Sequence, residues 1–419
     1  MHILFLTDNF PPERNAPANR VYESASYWVL WGHQVTVLTC APNFPEGRVY
    51  EGYRNCWYQV EIMDGIRVVR VKTFITQNEG VLLRTLDYLS FMVASFFTGL
   101  LQARPDVVVA TSPQFFTAVS GWALAAVRRL PFVFELRDLW PASISAVGAM
   151  RENVALRWLE RLELFLYHRA AKVVALTAAF KNDLIARGVP GDKVDVVFNG
   201  VDLERYTPRS RDTTLMQQLG LEGCFVVGYL GTHGMAHALD RVLDAAKLLQ
   251  GIPSIRFLFV GAGAARAALV EAATKGHLDN VIFVPAQPRT SMPAYWSVCD
   301  LALVPLKDAP LFTTVIPSKI FEAMGMGRAI LLTAPEGEAS QIIRETGAGV
   351  IVPPESPAAL ARTVQELYHD QALLERIATN SIRSAPQFSR EKQVRNMIKI
   401  LEEVVATSRS YKGHSLPGQ

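Results

Sequence analysis

Residues Ile316–Leu332 read IPSKIFEAMGMGRAILL. A helix-forming segment, KIFEAM, runs through Gly325 and Gly327 straight into an apolar strand-forming run, AILL. A helix that feeds directly into an apolar strand is the repeating unit of a parallel sheet covered by helices. Ser318 and Lys319 stand at the start of this helix, and Glu322 lies one turn later on the same face. Free N–H groups, a hydroxyl and an ammonium at a helix start can face one anion, while a carboxylate beside them accepts from paired hydroxyls. The set reads as a site for a phosphate joined to a ribose. The same residues also fit a plain i, i+3 Lys-Glu pair on a solvated face.

Outward from this stretch the rhythm repeats. CFVVGYLG, IRFLFVGAG, VIFVPAQ, LALVPL and GVIVPP read as strands, with ALDRVLDAAKLLQ and AARAALVEAATKG as helices between them. The first half alternates in the same way: HILFLT, HQVTVLT, DVVVATS, FVFEL, KVVALT and KVDVVFNG are strands. VYESASYWVLWG, closed by Gly32, FFTAVSGWALAAVRR and AAFKNDLIARG are helices. After Asp202 the polar segment ERYTPRSRDTTLMQQLGLEG interrupts the alternation. The expectation is α/β: two doubly wound Rossmann-like domains, 1–205 and 206–385, facing a cleft, with a helix over 386–410 crossing back to the first. Ligands of such sheets lie beyond the carboxyl ends of the strands.

At 419 residues the chain exceeds one ordinary core, which agrees with two domains. The net charge is only +3, with no run of Lys and Arg to track a phosphate backbone, so nucleic acid is not expected as a partner. Cys40, Cys56, Cys224 and Cys299 are scattered and suggest neither a disulfide framework nor a zinc site. The start, MHILFLTDNFPPE, is a poor signal peptide, so an intracellular protein is expected. Mean hydropathy is positive, +0.15, and residues 88–103 and 107–127 carry no charge. The first run is short of a span and Pro113 splits the second. Two core helices explain them. A monotopic surface is the alternative, with Phe91, Phe96, Phe97, Leu100 and Leu101 entering the interface and Arg84, Arg104, Arg128 and Arg129 meeting headgroups.

Further residues could carry chemistry. YLGTHGMAHALD offers Gly231, Thr232, His233 and His237 as an anion loop before a helix at Leu239. In FLFVGAGAAR, Gly261 and Gly263 follow a strand, but Arg266 holds the third glycine position, so a nicotinamide reading is weak and the glycines are expected to admit a ligand's edge. With no D-x-D pair, no metal is expected, and leaving-group charge would fall to helix dipoles and to Lys319 and His233. Walker and G-x-S-x-G motifs are absent. ELRDLWP sets Glu135, Arg137, Asp138 and Trp140 at a strand's end. Asp138 could position or deprotonate an acceptor hydroxyl, or merely brace the loop. The loop from Asp8 to Arg20, with Asn15, Ala16 and Asn19, could line the cleft.

Taken in order, NGVDLERY, VGAG, PSKIFEAMGMGRAILLT and GAGVIVPP resemble the family 4 retaining glycosyltransferases of the GT-B fold, over nearly the whole chain. FPPERNAPANRVYE, ELRDLWP and GTHGMAHALD further resemble the WbuB-like subgroup of bacterial surface-polysaccharide enzymes, associated with N-acetyl-L-fucosamine transfer to a lipid-linked sugar. The resemblance implies a UDP-sugar as co-substrate with no other cofactor, and a polyprenyl-diphosphate-linked sugar acceptor at the inner membrane face. It implies that Glu322 holds the ribose, Ser318 and Lys319 the diphosphate, Gly231 and His233 the phosphate loop, and the region of Gln287 the uracil. Asp138, His233, Lys319 and Glu322 are the expected catalytic set, with Asn15, Ala16 and Arg137 on the acceptor side. Where many members place a second glutamate eight residues before Glu322, this chain has Thr314, and a catalytic-loop His found in some relatives is missing near Arg137. A GT-B epimerase and a non-catalytic GT-B scaffold are the rival readings.

Overall fold

The computed structural model describes residues 1–13, 15–44, 46–76, 81–112, 114–139 and 154–414. Trp140 and Pro113 lie outside them. The chain divides into two compact units, Met1–Phe198 with Val394–Gln419, and Asn199–Gln393. The division falls slightly before the polar segment expected to separate the domains, because Val201 already bonds Phe388 and Arg390 within the second unit.

In the first unit, β1 (His2–Leu6), β2 (Gln34–Cys40), β5 (Val107–Thr111), β6 (Phe132–Leu136), β7 (Lys172–Ala175) and β8 (Val194–Val196) are parallel. β3 (Gln59–Met63) and β4 (Ile66–Val71) complete a sheet ordered β3-β4-β2-β1-β5-β6-β7-β8, with β3 antiparallel on the edge. The β3-β4 hairpin is absent from the sequence expectation. Its turn is Asp64-Gly65, both at positive φ, the geometry that closes a two-residue hairpin.

Helices α1 (Ala16–Leu30), α2 (Val81–Leu100), α3 (Phe115–Arg128), α4 (Val154–Arg169) and α5 (Ala178–Ala186) belong to this unit. The last helix of the chain spans Arg390–His414. From Val394 onward it packs on the β1 side of the first core through Val394, Met397, Ile398, Leu401, Val404 and Val405, a 3.6-residue stripe. Leu401 is fully buried there, and truncating such a residue costs about 2–5 kcal/mol.

The second unit holds β9 (Phe225–Leu230), β10 (Ile255–Val260), β11 (Val281–Val284), β12 (Leu301–Pro305), β13 (Ala329–Thr333) and β14 (Gly349–Val352). All are parallel, in the doubly wound order β11-β10-β9-β12-β13-β14. Strands buried on both faces need continuous apolar runs, and β9, β12 and β13 are buried at every position. Helices α6 (Thr213–Leu219), α7 (Leu239–Leu248), α8 (Arg266–Lys275), α9 (Met292–Val298), α10 (Lys319–Gly325), α11 (Glu338–Thr346), α12 (Pro357–His369) and α13 (Gln371–Ser384) surround it, and Arg390–His414 is α14. Chain reversal between β9 and β12 places the switch point where Gly231 leaves the sheet.

Candidate functional site

In the second unit the loops after β9 and β10 lie against each other. The Gly231 N–H donates to Val260 O at 2.9 Å, His233 N–H to Ala262 O at 2.9 Å, and Ala265 N–H to His233 O at 2.9 Å. A side chain at Gly261 would collide with the Gly231 carbonyl, and one at Gly263 with the His233 carbonyl. The neighbour that these glycines admit is therefore the Gly231–His233 backbone, where the sequence had suggested the edge of a ligand.

His233 is fully buried among Tyr229, Phe259 and Phe283, and neither ring nitrogen has a partner. Burial, reinforced by Arg266 and Lys319, pushes its pKa down to about 4. The imidazole is thus neutral at pH 7 and can offer an N–H, whereas the sequence reading gave it a compensating charge. His237 is also pushed down to about 4, by burial first, and its Nδ1 lies 3.1 Å from Pro305 O, which ties this loop to the end of β12.

Lys319, the first residue of α10, is buried, and its Nζ has no hydrogen-bond partner. It rests 3.9 Å from the centre of the Tyr229 ring. Burial pushes the amine down to about 7, opposed by Glu322. A side chain at Gly231 would come within 3.4 Å of this nitrogen, so glycine there leaves the amine open to the loop. Glu322 accepts from Trp296 Nε1 at 3.3 Å. Burial raises its pKa, and Trp296, Arg289, Lys319 and Arg390 oppose that rise. One carboxylate oxygen is thereby oriented by the indole.

The remaining expected residues differ in placement. Ser318 precedes α10, is exposed and makes no side-chain cap. Thr232 is exposed, and its carbonyl accepts from the Tyr229 hydroxyl at 2.5 Å. Gln287 sits after β11, with Nε2 donating to Pro285 O at 3.1 Å. Thr314 bonds locally to Leu311 O at 2.9 Å. Gly325 is kept small by the Tyr206 carbonyl, 2.7 Å from where its Cβ would stand. The sequence reading missed Tyr229, Trp296, Tyr206 and Arg289, which surround the Lys319–Glu322 pair. Tyr206 is buried and bonded to Arg289, and burial raises its hydroxyl pKa. No motif spacing marks these four, because they reach the site from separate elements.

In the first unit the expected residues fall into two linked groups. Glu135 at the end of β6 is buried and paired with Arg20 of α1, which also donates to Thr111 Oγ1 at 3.0 Å. Burial opposes the Glu135 charge, yet Arg20 and Arg137 hold its pKa below the ordinary value. The backbone N–H groups of Arg137 and Asp138 converge on Ser112 Oγ, at 2.7 and 3.4 Å. Asp138 is exposed, but the protein crowding its carboxyl raises its pKa against Arg137 and Arg20. Asn15 caps α1, accepting from the Ala18 N–H at 2.9 Å, and Ala16 is the first helical residue. Among the described residues no group of three or more His, Cys, Asp or Glu could hold a metal ion.

Two family models match the chain: the glycosyl transferase 4-like domain over residues 15–200, and glycosyl transferases group 1 over residues 224–370. WcaI of Escherichia coli K12, provisionally named a colanic acid biosynthesis glycosyl transferase, is 27% identical, with 87% of this chain and 92% of WcaI aligned. The D-inositol 3-phosphate glycosyltransferase of Salinispora arenicola is 31% identical, with 83% of this chain and 80% of that protein aligned. Among solved structures, Anabaena HepE in complex with UDP superposes with a TM-score of 0.71 at 20% identity, covering 96% of this chain and all of HepE. That likeness is one of fold.

Proposed function

Because this chain belongs to the group 1 glycosyltransferases, with a glycosyl transferase 4-like first domain, we propose that it moves a hexosyl group, N-acetylated or deoxy, from a UDP-sugar to a polyprenyl-diphosphate-linked sugar, with retention of configuration, in bacterial surface-polysaccharide synthesis. It would stand with the WbuB-like subgroup. One observation carries the donor half of this reading: the buried amine of Lys319, which has no hydrogen-bond partner, acts on both the unpartnered imidazole of His233 and the carboxylate of Glu322. Unpaired buried donors are costly and are satisfied by an anion. Glu322, with its indole partner, suits the two ribose hydroxyls, while Lys319, His233, Ser318 and the Gly231–Thr232 backbone suit the diphosphate. Gln287 would meet the base.

With no metal invoked, the charge that develops on the departing UDP is met by the Lys319 ammonium and by N–H groups already in place. In the retaining course the departing diphosphate oxygen takes the proton of the acceptor hydroxyl, and Asp138 and Arg137 orient that hydroxyl. The acceptor's lipid calls for an apolar surface. On α2, Leu83, Leu86, Val93 and Phe97 form an exposed stripe continued by Leu101, with Arg84, Arg104 and Arg129 also exposed in this unit. Phe91, expected in that stripe, is instead fully buried, and Arg128 is occupied with the carbonyls of Gly99 and Gln102. Among the described residues no helix is long and apolar enough to cross a membrane. Peripheral attachment on the cytoplasmic, inner face of the membrane follows from this reading.

The test is incubation of the full chain with radiolabelled UDP-sugars and a membrane lipid extract, with and without EDTA. Label should enter the lipid phase in both, and NMR of the product should give the donor's anomeric configuration. Label appearing in an isomeric nucleotide sugar would point to an epimerase. Incorporation from GDP-sugars alone would overturn the UDP assignment.

A further inference from the structure

At the amino ends of β1, β2 and β4 in the first unit, the sheet face that α2 covers changes character. Side chains on one face recur at every second position. Leu4 and Leu6 of β1, Leu38 of β2 and Val69 of β4 share this face and are fully buried. One step towards the amino ends the same face carries His2, Gln34, Thr36 and Arg67. The register sets His2 beside Gln34 and Thr36 beside Arg67, so three adjacent strands present one polar patch. The chain that follows α2 does not leave this patch open. Leu101, Gln102 and Ala103 line, with these four residues, a cavity of about 390 Å³, a volume that suits a small molecule.

The charges around this cavity favour an anion, and no carboxylate lines it. Arg67 is the single exposed residue of β4. Its Nη2 donates to the Tyr58 hydroxyl at 3.2 Å, and no carboxylate pairs with it among the described residues. The carboxyl end of α2 would repel an anion, but Arg128 Nη1 already holds the carbonyls of Gly99 and Gln102, at 3.0 and 2.9 Å. Asp106, which acts on His2, is taken by the His2 N–H at 2.8 Å and by Arg409 at 2.6 Å. At the rim, Glu402 of α14 faces His33 Nε2 at 3.9 Å. His2 Nε2 and Thr36 Oγ1 lie 2.9 Å apart and satisfy each other, which leaves Arg67 and the Gln34 amide as donors to the cavity. A guanidinium with no acid of its own suits a phosphate, which it can grip through two N–H groups at once.

We propose that this cavity binds a phosphate monoester, with the phosphate on Arg67 and Gln34 and the organic part against Leu101 and Ala103. The site stands at the amino edge of the sheet, away from the carboxyl edge where ligands of such folds ordinarily lie. It is an accessory site, and it does not rest on the transfer reading. A soluble sugar phosphate and the headgroup of phosphatidic acid share the required chemistry. In the second case Leu101, 78% exposed, would meet the lipid chains.

The experiment uses the full chain with UDP at saturation, so that the other unit offers no free phosphate site. Calorimetry takes glucose 6-phosphate and glucose as probes. Flotation takes vesicles of phosphatidylcholine alone, with phosphatidic acid, or with phosphatidylglycerol. Heat from glucose 6-phosphate but not from glucose identifies a soluble ligand, and flotation with phosphatidic acid beyond that with phosphatidylglycerol identifies a lipid. In either case Arg67→Gln should weaken binding about tenfold, the scale of one charge-assisted contact. Gln34→Glu, which sets a carboxylate in the wall, should act likewise; both positions are exposed, and an unchanged melting curve checks each fold. Lys319→Met should leave this binding unaltered. The proposal is overturned by glucose binding as well as its phosphate, by vesicle binding that follows charge alone, or by no binding from either source. Binding that survives both variants, or that disappears in Lys319→Met, overturns it too. Absence of UDP binding would count against the donor reading alone.

Discussion

The carboxyl edges of the two sheets are built alike and charged in opposite senses. At the edge of β9 and β10 the unpartnered buried groups include the Lys319 amine, the His233 imidazole and the Arg266 Nε. At the edge of β1 and β2 they are oxygens of Asp8, Glu13 and Gln114. Each unmet buried group costs about 1–3 kcal/mol, so neither set is explained by folding alone. One edge leaves basic groups unmet and the other leaves carboxyl and amide oxygens unmet.

The largest test of that division is Lys319→Met. Transfer should fall by about 10²–10³-fold, the scale of losing one preorganised charge partner, and UDP affinity by about 10- to 100-fold, read by calorimetry. The same variant should melt no lower than the native protein, because it removes a buried amine that has no hydrogen-bond partner. A drop of several degrees with UDP affinity intact would make Lys319 a packing residue against Tyr229.

The next test is pH, to which the two edges should respond in opposite directions. Burial lowers Lys319 from 10.5 to about 7, so between those values the folded chain lacks a proton that the unfolded chain binds. Its contribution to stability therefore rises with pH across that window. A bound diphosphate calls the proton back, so UDP affinity should fall above pH 7, by up to about tenfold per unit for one linked proton. Lys319→Arg should flatten the profile, because guanidinium stays charged. Asp87 runs the other way: burial, then Glu13, raises it from 3.8 to about 6. The stability it contributes is present below pH 4 and lost as pH rises through 6, and Asp87→Asn should remove that slope in denaturant titrations at pH 4 to 7.

Much of this was legible in the chain. Runs such as FVVGYL and AILLT can only be strands buried on both faces, and helices between them force a parallel sheet. Lys319 and Glu322 were visible because one helix turn carries both. The β3-β4 hairpin breaks the strand-helix alternation of the rest of the sheet, and its one local mark is Asp64-Gly65 between QVEIM and IRVVRV. Tyr206, Trp296 and Arg289 could not be read, since tertiary packing alone brings them to Glu322. Nor could the neutrality of His233, which depends on burial and on Arg266 and Lys319.

The smallest effect belongs to Asn15, where the sequence suggested an acceptor contact and the structure shows a helix cap. Asn15→Ala should cost about 1 kcal/mol in the first unfolding transition, because the Ala18 N–H loses its acceptor. Asn15→Ser should restore most of this, since serine caps about as well as asparagine. The effect stays small because α1 is also held by buried Val21, Ala25 and Trp28. It is still worth measuring, for α1 carries Arg20, and Arg20 fixes Glu135 at the end of β6. With capping as its role, activity and stability recover together in the serine variant. If Asn15 touches the acceptor, stability returns while the KM for acceptor stays raised, and the acceptor side then includes the start of α1.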